Sequence, residues 1–209
     1  MKLGLNKIVG TILVFAVALA VAAAPVLAKA GTFIATTSPV QTAAGYPGLN
    51  VTGSATLTLH GINLTAHITA SGLSPNLPHL MHIHGVVGAQ NDCPSPVAAF
   101  DTNHDGFIDT AEGLPAYGPI DVTFSTSGDT SPAAALNLST AVVADSSGNI
   151  DYTRSFRIPQ DVAKNLGDLH VVIHGADLNA DGSYDGIDGS LGAGVPLEAE
   201  LPVSCGGIN

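Results

Sequence analysis

The chain of 209 residues has no tryptophan, two methionines, two cysteines, and six lysines and arginines against seventeen aspartates and glutamates. The shortage of cations is the most restrictive of these. A formal net charge of −11 leaves little to neutralise phosphates, which excludes nucleic acid and anionic lipid as partners and favours divalent metal ions. Past residue 30 no run is long and apolar enough to span a bilayer, so no membrane contact is expected once a leader is removed. Neither a Gly-x-Ser-x-Gly elbow nor a His-Glu-x-x-His pair occurs, which argues against the corresponding hydrolases.

The start of the chain reads as a leader. Lys2 and Lys7 precede an apolar run over 8–24, and small residues then offer cleavage after Ala28 or Ala30. Residues 1–30 are therefore expected to be a secretory signal, with an uncleaved anchor as the alternative, and the protein to be secreted, periplasmic or held at the cell surface. Residues 31–209 suffice for one domain. In an oxidising compartment Cys93 and Cys205 are expected to form a disulfide; a Cys/His metal site is the alternative.

The body reads as all-β. Ala55 to His60 and Leu64 to Ala70 alternate apolar and polar residues about a turn at Gly61, which predicts a hairpin with one buried face and puts His60 and His67 on the polar side. Further strands are expected over 32–37, 79–84, 119–126, 138–144, 149–157, 168–174 and 197–204, with a helical turn over 160–166. Short strands separated by turn residues predict an antiparallel Greek-key β-sandwich or barrel.

Four histidines share one geometry. His82 and His84 lie two apart in an apolar run, so a strand sends both imidazoles to the same face. His170 and His174, four apart, have the same parity. If the two strands meet, three or four rings converge as a chelate for copper or zinc. The alternative is a set of surface or satisfied core histidines.

Eight of the seventeen acids fall in two windows. Over 101–112, Asp101, Asn103, Asp105, Asp109 and Glu112 occupy positions 1, 3, 5, 9 and 12 of a twelve-residue calcium loop, with Phe107 offering its carbonyl at position 7 and Gly106 at the sharp turn. Over 177–188 the pattern repeats with Asp177, Asn179, Asp181, Ser183 and Asp185, but ends in Asp188, whose shorter carboxylate predicts a weaker site. Prolines surround the first loop and strands the second, so no flanking helices are expected and calcium would staple loops. His104, at position 4, points away from such an ion and is expected to be solvent-exposed, with a swing towards the histidines as the alternative.

The stretch from Ser71 to His84 resembles the copper-binding strand of copper/zinc superoxide dismutases, with its glycine-leucine turn, structural histidine and His-x-His. Cys93 follows His84 by the spacing seen in that family, Val171 to Gly175 is similar to the late strand carrying the last copper histidine, and Leu201 to Gly206 to the final strand. The CHRD domain, a secreted module with a His-x-His-Gly strand, is an equal comparison. The resemblance implies a dismutase-like sandwich with copper at His82, His84 and His174, His79 as structural histidine, and a Cys93–Cys205 bridge. Calcium-type loops stand where the family has its zinc and electrostatic loops. Only His104 is placed to act as the bridging histidine, and Pro202 replaces the guiding arginine.

These readings converge on a secreted metal-binding protein, with calcium in its loops, copper at a histidine cluster, and weak or no dismutase turnover. A non-enzymatic calcium-stabilised adhesion or structural module and an active copper-only dismutase are the alternatives.

Overall fold

The computed structural model describes residues 30–41, 43–88, 92–94, 99–192 and 194–209. The expected signal lies, but for Ala30, outside the described residues. Among those residues no helix is long and apolar enough to cross a membrane.

Among the described residues every pairing between strands is antiparallel. The strands are β1 (Gly31–Pro39), β2 (Thr52–His60), β3 (Asn63–Ser71), β4 (Pro78–His79), β5 (Met81–His84), β6 (Ile120–Thr123), β7 (Val142–Val143), β8 (Ile150–Arg157), β9 (His170–His174) and β10 (Pro202–Gly207). Eight of them form one curled sheet in the order β6-β5-β9-β10-β1-β2-β3-β8, and β4 pairs with β7. The curl turns on β1. It pairs with β2 over 31–37 and gives Ser38 and Pro39 to β10, so one strand belongs to both halves. The ends of the order are then drawn together. From β8, the Tyr152 hydroxyl and Arg154 Nη1 donate to the Ser125 carbonyl at 3.0 and 2.8 Å, just beyond β6.

The predicted hairpin forms with Gly61 at φ 65 in its turn and His60 paired with Asn63. Its alternation sends Ala55, Leu57, Leu59, Leu64, Ala66 and Ile68 into the main core, where Met81, Ile83, Val171 and Ile173 meet them from the other half. Each fully buried leucine or isoleucine there stabilises by roughly 1.5–3 kcal/mol. Threonine, serine, His60 and His67 remain on the outer face of β2 and β3.

The β5/β9 half differs because both of its faces are covered: every residue of these two strands is buried. Over its outer face lie Val40, Ile108 and Tyr117, packed with Val172 and Cys205. The Cys93–Cys205 disulfide closes across 112 residues and ties the 85–118 segment to β10. That cover makes a second small core, and it also buries whatever β5 and β9 present outward.

Three expected elements differ. No helix was expected beside the first acidic loop, yet α1 (Thr110–Tyr117) leaves it directly. A capping box, Asp109 with Glu112, starts this helix, and Pro115 lies inside it. A helical turn occurs as expected at α2 (Gln160–Lys164). In place of the first half of the 197–204 strand is α3 (Leu197–Glu200), with all four residues buried. The period-2 look of Leu-Glu-Ala-Glu does not separate an inner from an outer face here, because both glutamates are buried by accepting backbone N–H groups. The 138–144 strand reduces to a 3-10 turn and the two-residue β7.

Candidate metal centre

His82 and His84 leave β5 on its outer face, and His174 leaves the neighbouring β9 on the same side. The three ring centroids lie 5.1 Å (82 to 174), 5.4 Å (82 to 84) and 5.6 Å (84 to 174) apart. All three residues are buried, at 1, 1 and 3 % exposure.

Each ring is held by one backbone carbonyl. His82 Nε2 donates to the Ala135 carbonyl at 3.0 Å, His84 Nδ1 to Gly118 at 2.8 Å, and His174 Nδ1 to Glu200 at 2.7 Å. A carbonyl oxygen only accepts, so each contact places the proton on that nitrogen and leaves the other as a lone pair in the neutral ring. The lone-pair nitrogens are His82 Nδ1, His84 Nε2 and His174 Nε2, and all three are buried without a hydrogen-bond partner among the described residues. One ligating nitrogen from each residue lies within 4.8 Å of the other two, so the triad can hold one metal ion. Nitrogen ligands sit about 2.0–2.1 Å from a bound zinc-like ion, a separation that modest ring movement reaches.

Burial is the main reason the rings stay neutral. It lowers His82 well below the ordinary imidazole range, with the His174 and His84 charges adding to the effect. Burial, then His174, lowers His84 to about 3. Burial lowers His174 to about 4, against the opposing hydrogen bond to Glu200. Uncharged imidazoles with oriented lone pairs are the form in which histidine binds metal.

The other histidines stand apart. His170 pairs across the strands with His84 but lines a separate polar cleft of about 260 Å³ with Asp92 and Asp168. His104 is exposed, at φ 63, and is not part of the triad. His79 is fully buried, with Nε2 3.0 Å from the Ser74 carbonyl and Nδ1 3.1 Å from the His174 carbonyl and 3.3 Å from the Tyr184 hydroxyl. Burial lowers its pKa against the opposing backbone hydrogen bonds to Ser74, His174 and Gly175. This histidine links the β4 region to the second acidic loop.

The two acidic loops adopt the same conformation. In the first, the Asp105 N–H donates to Asp101 Oδ1 and Asn103 Oδ1, Gly106 N–H to Asp101 Oδ2, and Phe107 N–H to Asp105 Oδ1. In the second, Asp181, Gly182 and Ser183 donate to Asp177, Asn179 and Asp181 in the same pattern. The left-handed residues also match, His104 with Ala180 and Gly106 with Gly182.

They diverge at position 12. In the first loop, Thr102 N–H donates to Glu112 Oε1 at 2.6 Å and Asp109 N–H to Oε2 at 3.1 Å. Burial raises the Glu112 pKa, but the N–H groups of Asn103, Asp109 and Thr102 outweigh it and the net shift is downward. In the second loop Asp188 accepts instead from Gly194 N–H. The equivalent place is taken by Glu198 of α3: Leu178 N–H donates to its Oε1 at 2.8 Å and Asp185 N–H to its Oε2 at 2.9 Å. Sequence reasoning assigned that place to Asp188. The one signal for Glu198 was a longer acid ten residues beyond the twelve-residue frame.

Both loops lead into the carbonyls that orient the triad. The first continues as α1 and ends at Gly118, which holds His84; the second is tied through Glu198 to α3, which ends at Glu200, which holds His174. Thr110, the first residue of α1, also donates its hydroxyl to the Glu200 carbonyl at 2.7 Å.

The chain matches no protein-family model, and no curated protein matches it significantly.

Proposed function

We propose that this is an exported metalloprotein that holds a copper ion at His82, His84 and His174 and is stiffened by calcium in its two acidic loops. One observation carries the copper reading: three buried, neutral imidazoles have lone pairs converging with nothing to accept from. Each such unpaired nitrogen costs about 1–3 kcal/mol of desolvation, a cost that a shared ion removes. Copper heads the divalent affinity order for nitrogen sites, and the resemblance to the copper/zinc dismutase strand points the same way.

A copper ion so held supplies one-electron chemistry between its two oxidation states. The protein's own part is to fix three tautomers through the Ala135, Gly118 and Glu200 carbonyls and to exclude water. Fast dismutation is not expected. Among the described residues the hydrogen-bond and ring partners of the triad are those carbonyls, Tyr117 and one another, and none is a cation that would draw in superoxide.

In the loops, oxygen ligands come from positions 1, 3, 5, 7 and 9, with Glu112 completing the first site and Glu198 the second. Calcium at these places neutralises carboxylates that otherwise crowd together, and it braces the two helices that carry the Gly118 and Glu200 carbonyls.

The test is elemental analysis of the mature protein, purified without chelator or polyhistidine tag, with electron paramagnetic resonance of its copper-loaded form. Stoichiometric copper with three-nitrogen hyperfine structure, lost in His84→Asn, is the expected result. Calcium without stoichiometric copper, or a copper spectrum unchanged by His84→Asn, overturns the copper reading.

A further inference from the structure

Beside the triad lies a cleft of about 430 Å³ with His84 and Ala135 in its lining. Its rim carries Leu114, Leu136 and Leu191, which are 44, 44 and 43 % exposed. Apolar side chains of that size are singly scattered on most surfaces; gathered round one concavity they mark a binding site. The volume falls in the range of about 300–1,000 Å³ typical of small-molecule pockets.

The lining holds no aspartate, glutamate, lysine or arginine. Its polar members are His84, whose Nδ1 is given to the Gly118 carbonyl, and Thr110, whose hydroxyl is given to the Glu200 carbonyl. An anion entering here would shed water with no cation to meet it, on a chain of net charge −11. A neutral, largely apolar molecule loses nothing by the same transfer.

The three leucines are also wired to the three carbonyls that orient the triad. Leu114 belongs to α1, whose capping residue Gly118 holds His84. Leu136 follows Ala135, which holds His82. Leu191 N–H donates to Glu200 Oε2 at 2.9 Å, and the carbonyl of Glu200 holds His174. A molecule seated among these leucines therefore rests on residues joined to all three supports of the histidine site, of which Ala135 itself lines the cleft.

We infer that this cleft is the vestibule of the metal centre and that its ligand is a small neutral organic molecule with an aromatic or aliphatic body. The link to chemistry at copper rests on the function proposed above; binding to the copper-free protein does not.

The experiment is fluorine NMR on the full mature chain with two probes of one size, 4-fluorotoluene and the anion 4-fluorobenzoate. The copper-free protein is expected to broaden and shift 4-fluorotoluene saturably and leave 4-fluorobenzoate unaffected. Leu136→Asp, at a half-exposed site that leaves the core intact, is expected to weaken probe binding about tenfold or more; Leu136→Ala, which adds no charge, is expected to keep most of it. Adding copper(II) is expected to broaden the bound probe further by its unpaired electron. Equal binding of both probes, no binding of 4-fluorotoluene, or indifference to Leu136→Asp overturns the inference. So does a concentration-dependent dimer abolished by Leu136→Asp, which would give the cleft to a second copy. Copper with a three-nitrogen spectrum that fails to broaden the bound probe overturns the vestibule assignment. Probe binding without any such copper spectrum upholds the ligand site while the copper reading falls.

Discussion

Glu198 stands to the second acidic loop as Glu112 stands to the first. Each carboxylate accepts from the N–H groups of loop positions 2 and 9, although Glu112 lies inside its twelve-residue frame and Glu198 ten residues outside. Glu198 is only 5 % exposed, and its partners bring two distant pieces of chain to one point.

This equivalence predicts which acid governs calcium at the second loop. Glu198→Gln is expected to weaken that site by about tenfold or more, equal to roughly 1.4 kcal/mol, whereas Asp188→Asn has a smaller effect. Calorimetric titration of both variants with calcium checks the order. The reverse ranking would return the twelfth place to Asp188.

A second prediction concerns coupling between the metals. Because α1 and α3 carry the carbonyls that orient His84 and His174, chelating calcium with EGTA should loosen those supports and weaken copper retention. Coupling of this kind is commonly about 5–150-fold and must be reciprocal, so copper should tighten calcium by the same factor. Copper affinities measured with and without calcium test it, and equal values would show the loops to be independent of the triad.

The triad also sets an acid limit on the copper-free protein. Its folded pKa values are lowered by burial, to about 3 for His84 and about 4 for His174, while the unfolded chain takes up protons near 6.5. Between those limits the unfolded state binds more protons, so stability is full above about pH 6.5 and falls as the pH drops towards 4. Urea melts across that range should show the decline, reduced in a His84→Asn/His174→Asn variant. The same values keep His84 and His174 deprotonated at pH 5, and burial lowers His82 in the same direction, so copper affinity is expected to change little between pH 7.5 and 5.

Asp121 has the opposite sign. Burial, with the Asp161 charge adding to it, pushes its carboxyl up to about 6, and its Oδ2 is buried without a partner. The native state holds this proton more tightly than the unfolded chain, so its contribution is present below pH 3.8 and lost as the pH rises through 6. Asp121→Asn should therefore stabilise at pH 7 by about 1 kcal/mol, discounted for partial exposure, and have no effect below pH 4. Thermal melts at pH 7 and pH 3.5 distinguish these outcomes.

Much of the fold was legible where one face met water. In β2 and β3 the alternation of leucine with threonine gave strand, face and turn together. It failed where both faces are buried. Glu198 and Glu200 fall within the strand expected over 197–204, yet they lie in a helix, with their carboxylates satisfied by backbone N–H groups of the preceding loop. Pro115 read as a barrier to helix, yet the Asp109–Glu112 box starts one.

By itself the sequence determined what depends on period and local spacing: the common face of His82 and His84, the matched acidic loops, and the alternation that sorts the sheet's outer residues from its core. Parity assigns a face and not a neighbour, so it ranked His170 beside His174, and only the packing left His170 to another cleft. The tertiary structure alone decided which carbonyls fix the three tautomers, that Glu198 closes the second loop, and that an apolar cleft opens beside His84. Each of these joins groups distant in the chain, and such contacts are set by how sheet, loops and helices pack, which no local pattern records.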